Sequence, residues 1–552
     1  MADTQETQRR RGRPCRGQRE RGERANLREN RERLRRIRAN VQLNIAPQQS
    51  VYSSAMINAA RTFDRKVWEL EEKTCIYCNR ASFVLSMVGE DKCNVCAKES
   101  TSTKFTASNN MDPGPIPPEL EELSYIEQMV IAQIHPVVSL FKLGGAQYAH
   151  RGNVINFRQD ISSSTTLLPH HPSTIPSTII FNRQTPHGLA QFTASASKIR
   201  RALLWLKSNN DYYRMITISE ENLAAIGENN DLSQELLNLD LPDDQAAANQ
   251  AQEVEEIQES FIPQLWNIDQ QNQIQEALNV PYPSIDGNPI NEFSEEGYIV
   301  KAFPTLFPTG KADFLAHRDV ALTLDQYFKY LLMYKDKRFA RDPRFRFFAM
   351  NTVMRRAALS TANVFIRRNA LENLNVADLS LRLQQDPGFI NQLMVYSASQ
   401  RSTRAYWRQR CSELLKMIDQ IGLPDVFLTL SAADYHQPDL FEILAPDVAD
   451  VNTLSDRQRR NLMHENPMIV AHFFYERCSL FIQHVLKPIY RVKDSWYRFE
   501  WQWRGSPHLH GLIWLENSPK TNEEAPSPEE LELIRTYLTN SAQVSIHYTL
   551  MK

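Results

Sequence analysis

The chain has 552 residues, 42% of them hydrophobic, which gives room for about three domains with cores of their own. No run of about 18 apolar residues occurs, and no apolar segment follows the N-terminal arginines, so neither a membrane contact nor a secretory signal is expected. A net charge of −2 excludes a uniformly basic or acidic protein, and seven cysteines, an odd number, fit intracellular metal binding better than a disulfide framework.

The average charge hides an asymmetry. Residues 1–40 hold 14 arginines, no lysine and six acidic residues, a balance of +8 that leaves −10 for the remainder. A basic arm on a mildly acidic body is expected to meet a polyanion. Residues 1–45 read as a disordered arm, and Arg9 to Gly17 within it spells RRRGRPCRG, an AT-hook-like segment. Arg10, Arg11, Arg13 and Arg16 are its candidate DNA-binding side chains, because extended arginine segments lie well in a narrow minor groove. A plain basic tail or a nuclear-localisation signal is the alternative, and the nucleus is the expected compartment.

Residues 60–105 form the expected zinc-knuckle region. Cys75 and Cys78, then Cys93 and Cys96, make two C-x2-C pairs fourteen residues apart, a spacing that suits a tetrahedral four-thiolate Zn²⁺ site. Four thiolates leave no open coordination position, so the expected role is structural. Residues 111–222 read as a compact α+β middle domain without a catalytic constellation. An amphipathic helix near its start is followed by the strand-like Asn153 to Phe157 and short β-type runs such as STIIFN and RMITIS. Residues 223–280 are rich in Gln, Asn, Asp and Glu and read as a polar linker.

The chain regains order in residues 281–552. Gly310-Lys311 lacks both the earlier glycine and the following hydroxyl of a phosphate loop, so no ATPase site is expected. Thr323 to about Gln420 is helical in pattern, Pro424 to Ser431 is a β-branched apolar strand, and a helix is expected from about Pro467 to Leu486. Then comes FEWQWRGSPHLHGLIWL, with His508 and His510 on either side of Leu509. On a strand, residues two apart share a face at roughly 7 Å, so both imidazoles can lean toward one metal ion. Satisfied histidines of a half-buried strand are the plain alternative. RGSP before them is turn material, and the stretch reads as a hairpin.

Taken in order, NNMDPG, GGAQY with GNVINF, AFPTLFPTGKADF, STRAYW, VFLTLSAADYHQPDLF and FEWQWRGSPHLHGLIW resemble the N-terminal half of Helitron transposases. The resemblance covers nearly the whole chain beyond the basic arm. It implies an HUH-type endonuclease domain in which His508 and His510 bind Mg²⁺ or Mn²⁺, with Gln502 or Glu500 as third ligand. Hairpin register decides between those two, and Gln502 is preferred because the family pattern is similar there. The implied chemistry is attack by tyrosine on a DNA phosphate, leaving a 5′-phosphotyrosine. Two departures stand out. Gln437 replaces the family's usual Trp, and the family's Tyr-x-x-x-Tyr nucleophile pair is expected beyond Lys552, because Tyr537 and Tyr548 are eleven residues apart. No catalytic residue is therefore assigned within the chain.

The expected fold class is α+β and multidomain: a small zinc knuckle, a compact α+β middle domain, and an incomplete HUH-type domain with a central antiparallel sheet flanked by helices. The expected function is that of a Helitron-type rolling-circle transposase fragment. It would bind single- and double-stranded DNA, with the remaining helicase portion or a full-length transposase as possible partner, and would be inactive in nicking alone. A non-enzymatic DNA-binding protein and a degenerate transposon-derived reading frame are the alternatives.

Overall fold

A computed structural model describes residues 54–137, 140–142, 148–150, 155–157, 167–174, 179–180, 192–232, 293–368, 398, 404–432, 434–501, 506–518 and 527–532. The fold is mixed α+β, with many helices and small sheets of two or three strands. Among the described residues, no helix is long and apolar enough to cross a membrane. The chain divides into two compact units, one made of residues 1–73, 82–84 and 423–552, the other of residues 74–81 and 85–422.

The first unit is built on helices α1 (Ser54–Trp68), α2 (Pro438–Leu444), α3 (Asp456–Glu465) and α4 (Pro467–Phe481) and on strands β1 (Val426–Ser431), β2 (Val492–Trp501) and β3 (Pro507–Leu515). In α1, Met56, Ala59, Phe63 and Val67 recur at helical spacing and are the buried face. Its Phe63 meets Phe481 edge to face at 5.9 Å. Ser455 opens α3 with a capping box, its hydroxyl receiving the Gln458 N–H while the Gln458 side chain returns to the Ser455 N–H. Pro467 sits in the first turn of α4, where its missing N–H costs nothing. The helix continues through a π turn at Ile482–Leu486, and Arg491 then takes a left-handed conformation that turns the chain into β2.

The strands form one antiparallel sheet in the order β1–β3–β2. Alternation decides its two faces. Val426, Leu428 and Leu430 of β1, Leu509 and Ile513 of β3 and Phe499 of β2 join the core with Phe473, Phe474 and Phe481. Phe474 and Phe499 meet edge to face at 6.0 Å. Burial of Leu509 and Ile513 contributes roughly 1.5–3 kcal/mol each. That burial fixes the register, since a slip of one residue would move the whole apolar set to the other face.

The second unit packs around an aromatic core. Phe303, Phe307, Phe328, Phe339, Phe345 and Phe348 are all buried, with ring centroids as close as 5.0 Å between Phe307 and Phe339 and between Phe339 and Phe345. They come from the turns around residues 303–307 and from the helices Leu324–Leu332, Arg338–Arg341 and Pro343–Arg368. Leu223, Ile226 and Leu232 belong to the same core. The helix Tyr125–Ile131 is opened by a capping box, in which the Glu127 carboxylate receives the Ser124 N–H at 2.7 Å. Its other oxygen receives the Ser195 N–H at 2.9 Å, so this buried charge is paired on both sides.

Candidate metal centres

Two places gather residues able to bind metal. In the second unit, the short strands Met87–Val88 and Lys92–Cys93 form a hairpin whose turn is made at Gly89, with φ of +75°. The Cys75 N–H donates to the Arg80 carbonyl and the Asn94 N–H to the Ser86 carbonyl, which closes the two loops that carry the cysteines. As a result the four sulfurs of Cys75, Cys78, Cys93 and Cys96 are buried and lie within 4.8 Å of one another. Sulfurs at the corners of a tetrahedron about 2.3 Å from a zinc ion would be about 3.8 Å apart, and the Cys78 and Cys93 sulfurs are 3.9 Å apart. The donor set fits a metal ion of that kind.

Hydrogen-bond donors face three of the sulfurs. Arg80 donates from Nε to Cys78 Sγ at 3.3 Å and from Nη2 to Cys93 Sγ at 3.1 Å, with its guanidinium over the Phe105 ring at 4.5 Å. The Cys93 N–H donates to Cys75 Sγ at 3.3 Å. Burial pushes the Cys78 and Cys96 thiols upward. At Cys93 burial also pushes upward, but hydrogen bonding from the Cys96 backbone and the Arg80 charge outweigh it, bringing this thiol down to about 7.

In the first unit, the second place lies on the sheet face opposite the core. His508 and His510 share that face of the central strand β3, with ring centroids 4.6 Å apart. The register sets Ser431 and Glu500 directly across from His508, and Thr429 and Arg498 across from His510. Ser431 Oγ is 3.0 Å from His508 Nδ1, and Thr429 Oγ1 is 3.3 Å from His510 Nδ1. These hydroxyls orient the rings, as partners of metal-binding imidazoles commonly do. Glu500 Oε2 is 3.8 Å from His510 Nε2, while Arg498 engages Glu500 Oε1. Among the described residues, only the four cysteines form a group of three or more donors drawn together within 4.8 Å. The imidazoles therefore offer two nitrogen donors, with Glu500 near one of them and tied to an arginine.

Comparison with known families bears on this sheet directly. Residues 327–513 match the family model described as the Helitron helicase-like domain at N-terminus. The chain carries a Helitron helicase-like domain. Residues 98–224 match a domain of unknown function (DUF6570). No curated protein and no solved structure matches the chain.

The Helitron helicase-like domain includes β1, β2, His508 and His510, whereas the four cysteines lie outside both matched segments. Of the residues singled out from the sequence, the four cysteines come together in one buried cluster and the two histidines on one face. Glu500 comes within 3.8 Å of His510. Gln502, the preferred third ligand, lies outside the described residues, as do Arg10, Arg11, Arg13, Arg16, Tyr537 and Tyr548. Sequence reasoning missed Thr429, Ser431 and Arg80. The hydroxyls were visible in VFLTLS as the outward positions of an alternating strand, but their partners 77 and 81 residues away were not.

Proposed function

We propose that the chain handles single-stranded DNA as part of Helitron-type rolling-circle transposition, on the sheet face that bears His508 and His510. The observation that carries the reading is the pair of imidazoles side by side on the central strand of an antiparallel sheet, each oriented by a hydroxyl from β1. His508 and His510 would hold Mg²⁺ or Mn²⁺, with Glu500 or Gln502 as oxygen donor. Bound there, the cation would polarise a DNA phosphate. Thr429 and Ser431 hold the imidazole rings, and Arg498 offers positive charge on the same face. The four cysteines hold a structural Zn²⁺, and the arginine arm adds salt-dependent attraction to double- or single-stranded DNA in the nucleus.

In the intact family protein this reading extends to nicking and strand transfer, with the helicase portion or a full-length transposase as partner. For residues 1–552 we propose metal-assisted binding of single-stranded DNA on the histidine face. A second reading is a DNA-binding protein that is not an enzyme, in which the carboxylate nearest the imidazoles, Glu500, stays paired with Arg498.

The test measures single-stranded DNA affinity of the wild type, His508→Ala and His510→Ala, with and without Mn²⁺. The proposal expects Mn²⁺ to tighten wild-type binding and either substitution to abolish that gain. Metal-independent binding untouched by both substitutions would leave only the second reading.

A further inference from the structure

Strand β1 carries an anomaly beside the histidines. Its inward positions are Val426, Leu428 and Leu430, and its outward positions are Phe427, Thr429 and Ser431. A large apolar ring thus occupies an outward position on an edge strand, where it is 66% exposed. Core packing does not account for it, since the strand's core contacts run along the other face. The ring lies nearly parallel to the His510 imidazole, at 18° and 5.6 Å between centroids. In the same cross-strand row stand Leu512 and Trp496, both half-buried, and in the next row stand Thr429, His510 and Arg498. An open aromatic surface therefore borders a polar row that ends in a guanidinium.

We infer that Phe427 is a stacking platform for a base of single-stranded DNA, seated next to the phosphate that the histidine face would receive. The inference rests on the single-stranded DNA reading given above. A DNA strand offers alternating flat apolar faces and negative charges, and single-strand binding surfaces pair aromatic rings with positive groups in the same way. Phe427 supplies the ring, and Arg498 with the histidines supplies the polar side. A paired duplex keeps its bases stacked within the helix, so the platform selects single strands. Phe427 touches His510 directly, so it has two conceivable roles, holding that imidazole or stacking a base, and the choice of strand separates them.

The experiment uses the full chain with Mn²⁺ and 5′-fluorescein (dT)20, compared with a strand of equal length made of abasic residues, read by anisotropy at a salt concentration that suppresses binding by the arginine arm. Phe427→Leu keeps apolar bulk and removes the ring face, whereas Phe427→Trp keeps a ring. The expected result on (dT)20 is a loss of about 5- to 100-fold for Phe427→Leu and near wild-type affinity for Phe427→Trp, as base–aromatic stacking predicts. On the abasic strand the two variants should bind alike. Affinity for (dT)20 within twofold of wild type in Phe427→Leu would overturn the inference. So would an equal loss on the abasic strand, which would leave Phe427 as a support for His510. If the wild type binds no single strand, or binds regardless of His508 and His510, the underlying reading fails with it. Normal histidine dependence with a silent Phe427 sinks this inference alone.

Discussion

Replacing Arg80 with alanine should weaken zinc binding without touching a single ligand. The guanidinium reaches two of the four sulfurs, Cys78 at 3.3 Å and Cys93 at 3.1 Å. A zinc ion with four thiolates carries a net charge of about −2, so a fixed positive group at hydrogen-bond distance stabilises the loaded site more than the empty one. Two hydrogen bonds to charged sulfur contribute about 1.5–3 kcal/mol each before solvent screening. Arg80 is only partly buried, and recovered hydration of the empty site offsets part of that gain. A net loss of about 2 kcal/mol remains, or roughly 30-fold in affinity, inside the ten- to hundredfold range typical for partners of metal ligands. Competition against a chromophoric chelator at fixed pH reads this directly. Arg80→Lys should fall between the two, since it keeps the charge and loses the planar fork. Arg80→Ala within twofold of wild type would refute the electrostatic account, and a wild-type chain purified without stoichiometric zinc would refute the site.

Further outcomes follow from the same packing. His135 and His170 are buried with rings 5.2 Å apart, and burial holds both neutral, His170 down to about 4. For His135, the neighbouring His170 and the Arg344 charge act in the same direction as burial. Their folded-state values lie below the unfolded value of about 6.5, so the unfolded chain binds more protons and stability falls as pH drops from about 6.5 toward 4. Denaturant unfolding at pH 7.5 and 5 should show that loss, and His170→Gln should flatten it; an unchanged slope would exclude the pair as its source. Gly297 has φ of +73°, and a Cβ there would meet Tyr212 Cε1 at 2.2 Å, so Gly297→Ala should destabilise by about 2 kcal/mol or more and lower the Tm by several degrees. Leu509→Ala, which empties a fully buried site between the two histidines, should cost about 2–5 kcal/mol by denaturant unfolding and loosen Mn²⁺ binding with it.

The strongest sequence signals were those whose geometry is local. Cys-x2-Cys spacing brings two thiols to one loop whatever the rest of the chain does, and strand alternation puts His508 and His510 on one face. The expected helix from Pro467 is present, but its end as a π turn at Ile482–Leu486 has no signature in the residues themselves. Partners supplied from far away were not legible. Alternation does not separate Glu500 from Gln502, two residues apart, and of the two only Glu500 lies among the described residues, across from His508. The grouping of residues 293–422 with the cysteines depends on contacts such as the Arg80–Tyr334 bridge and the Lys335 N–H donating to the Asn79 carbonyl, each spanning more than two hundred residues. Periodicity carries no record of these.

Strand β3 owes its two neighbours to very different stretches of chain. Its hairpin with β2 closes over a few residues, while its pairing with β1 closes a loop of about 80, an ordering entropy of about 4 kcal/mol. The hairpin can therefore form early and alone, carrying both imidazoles with their rings unfixed. Only the later arrival of Thr429 and Ser431 brings a hydroxyl to Nδ1 of each ring and fixes its orientation. Ring orientation thus becomes a reporter of completed assembly: a polypeptide that starts after β1 would retain His508 and His510 yet lack the hydroxyls that hold their rings, and a chain gains a fixed pair of imidazoles only when its most distant strand has docked.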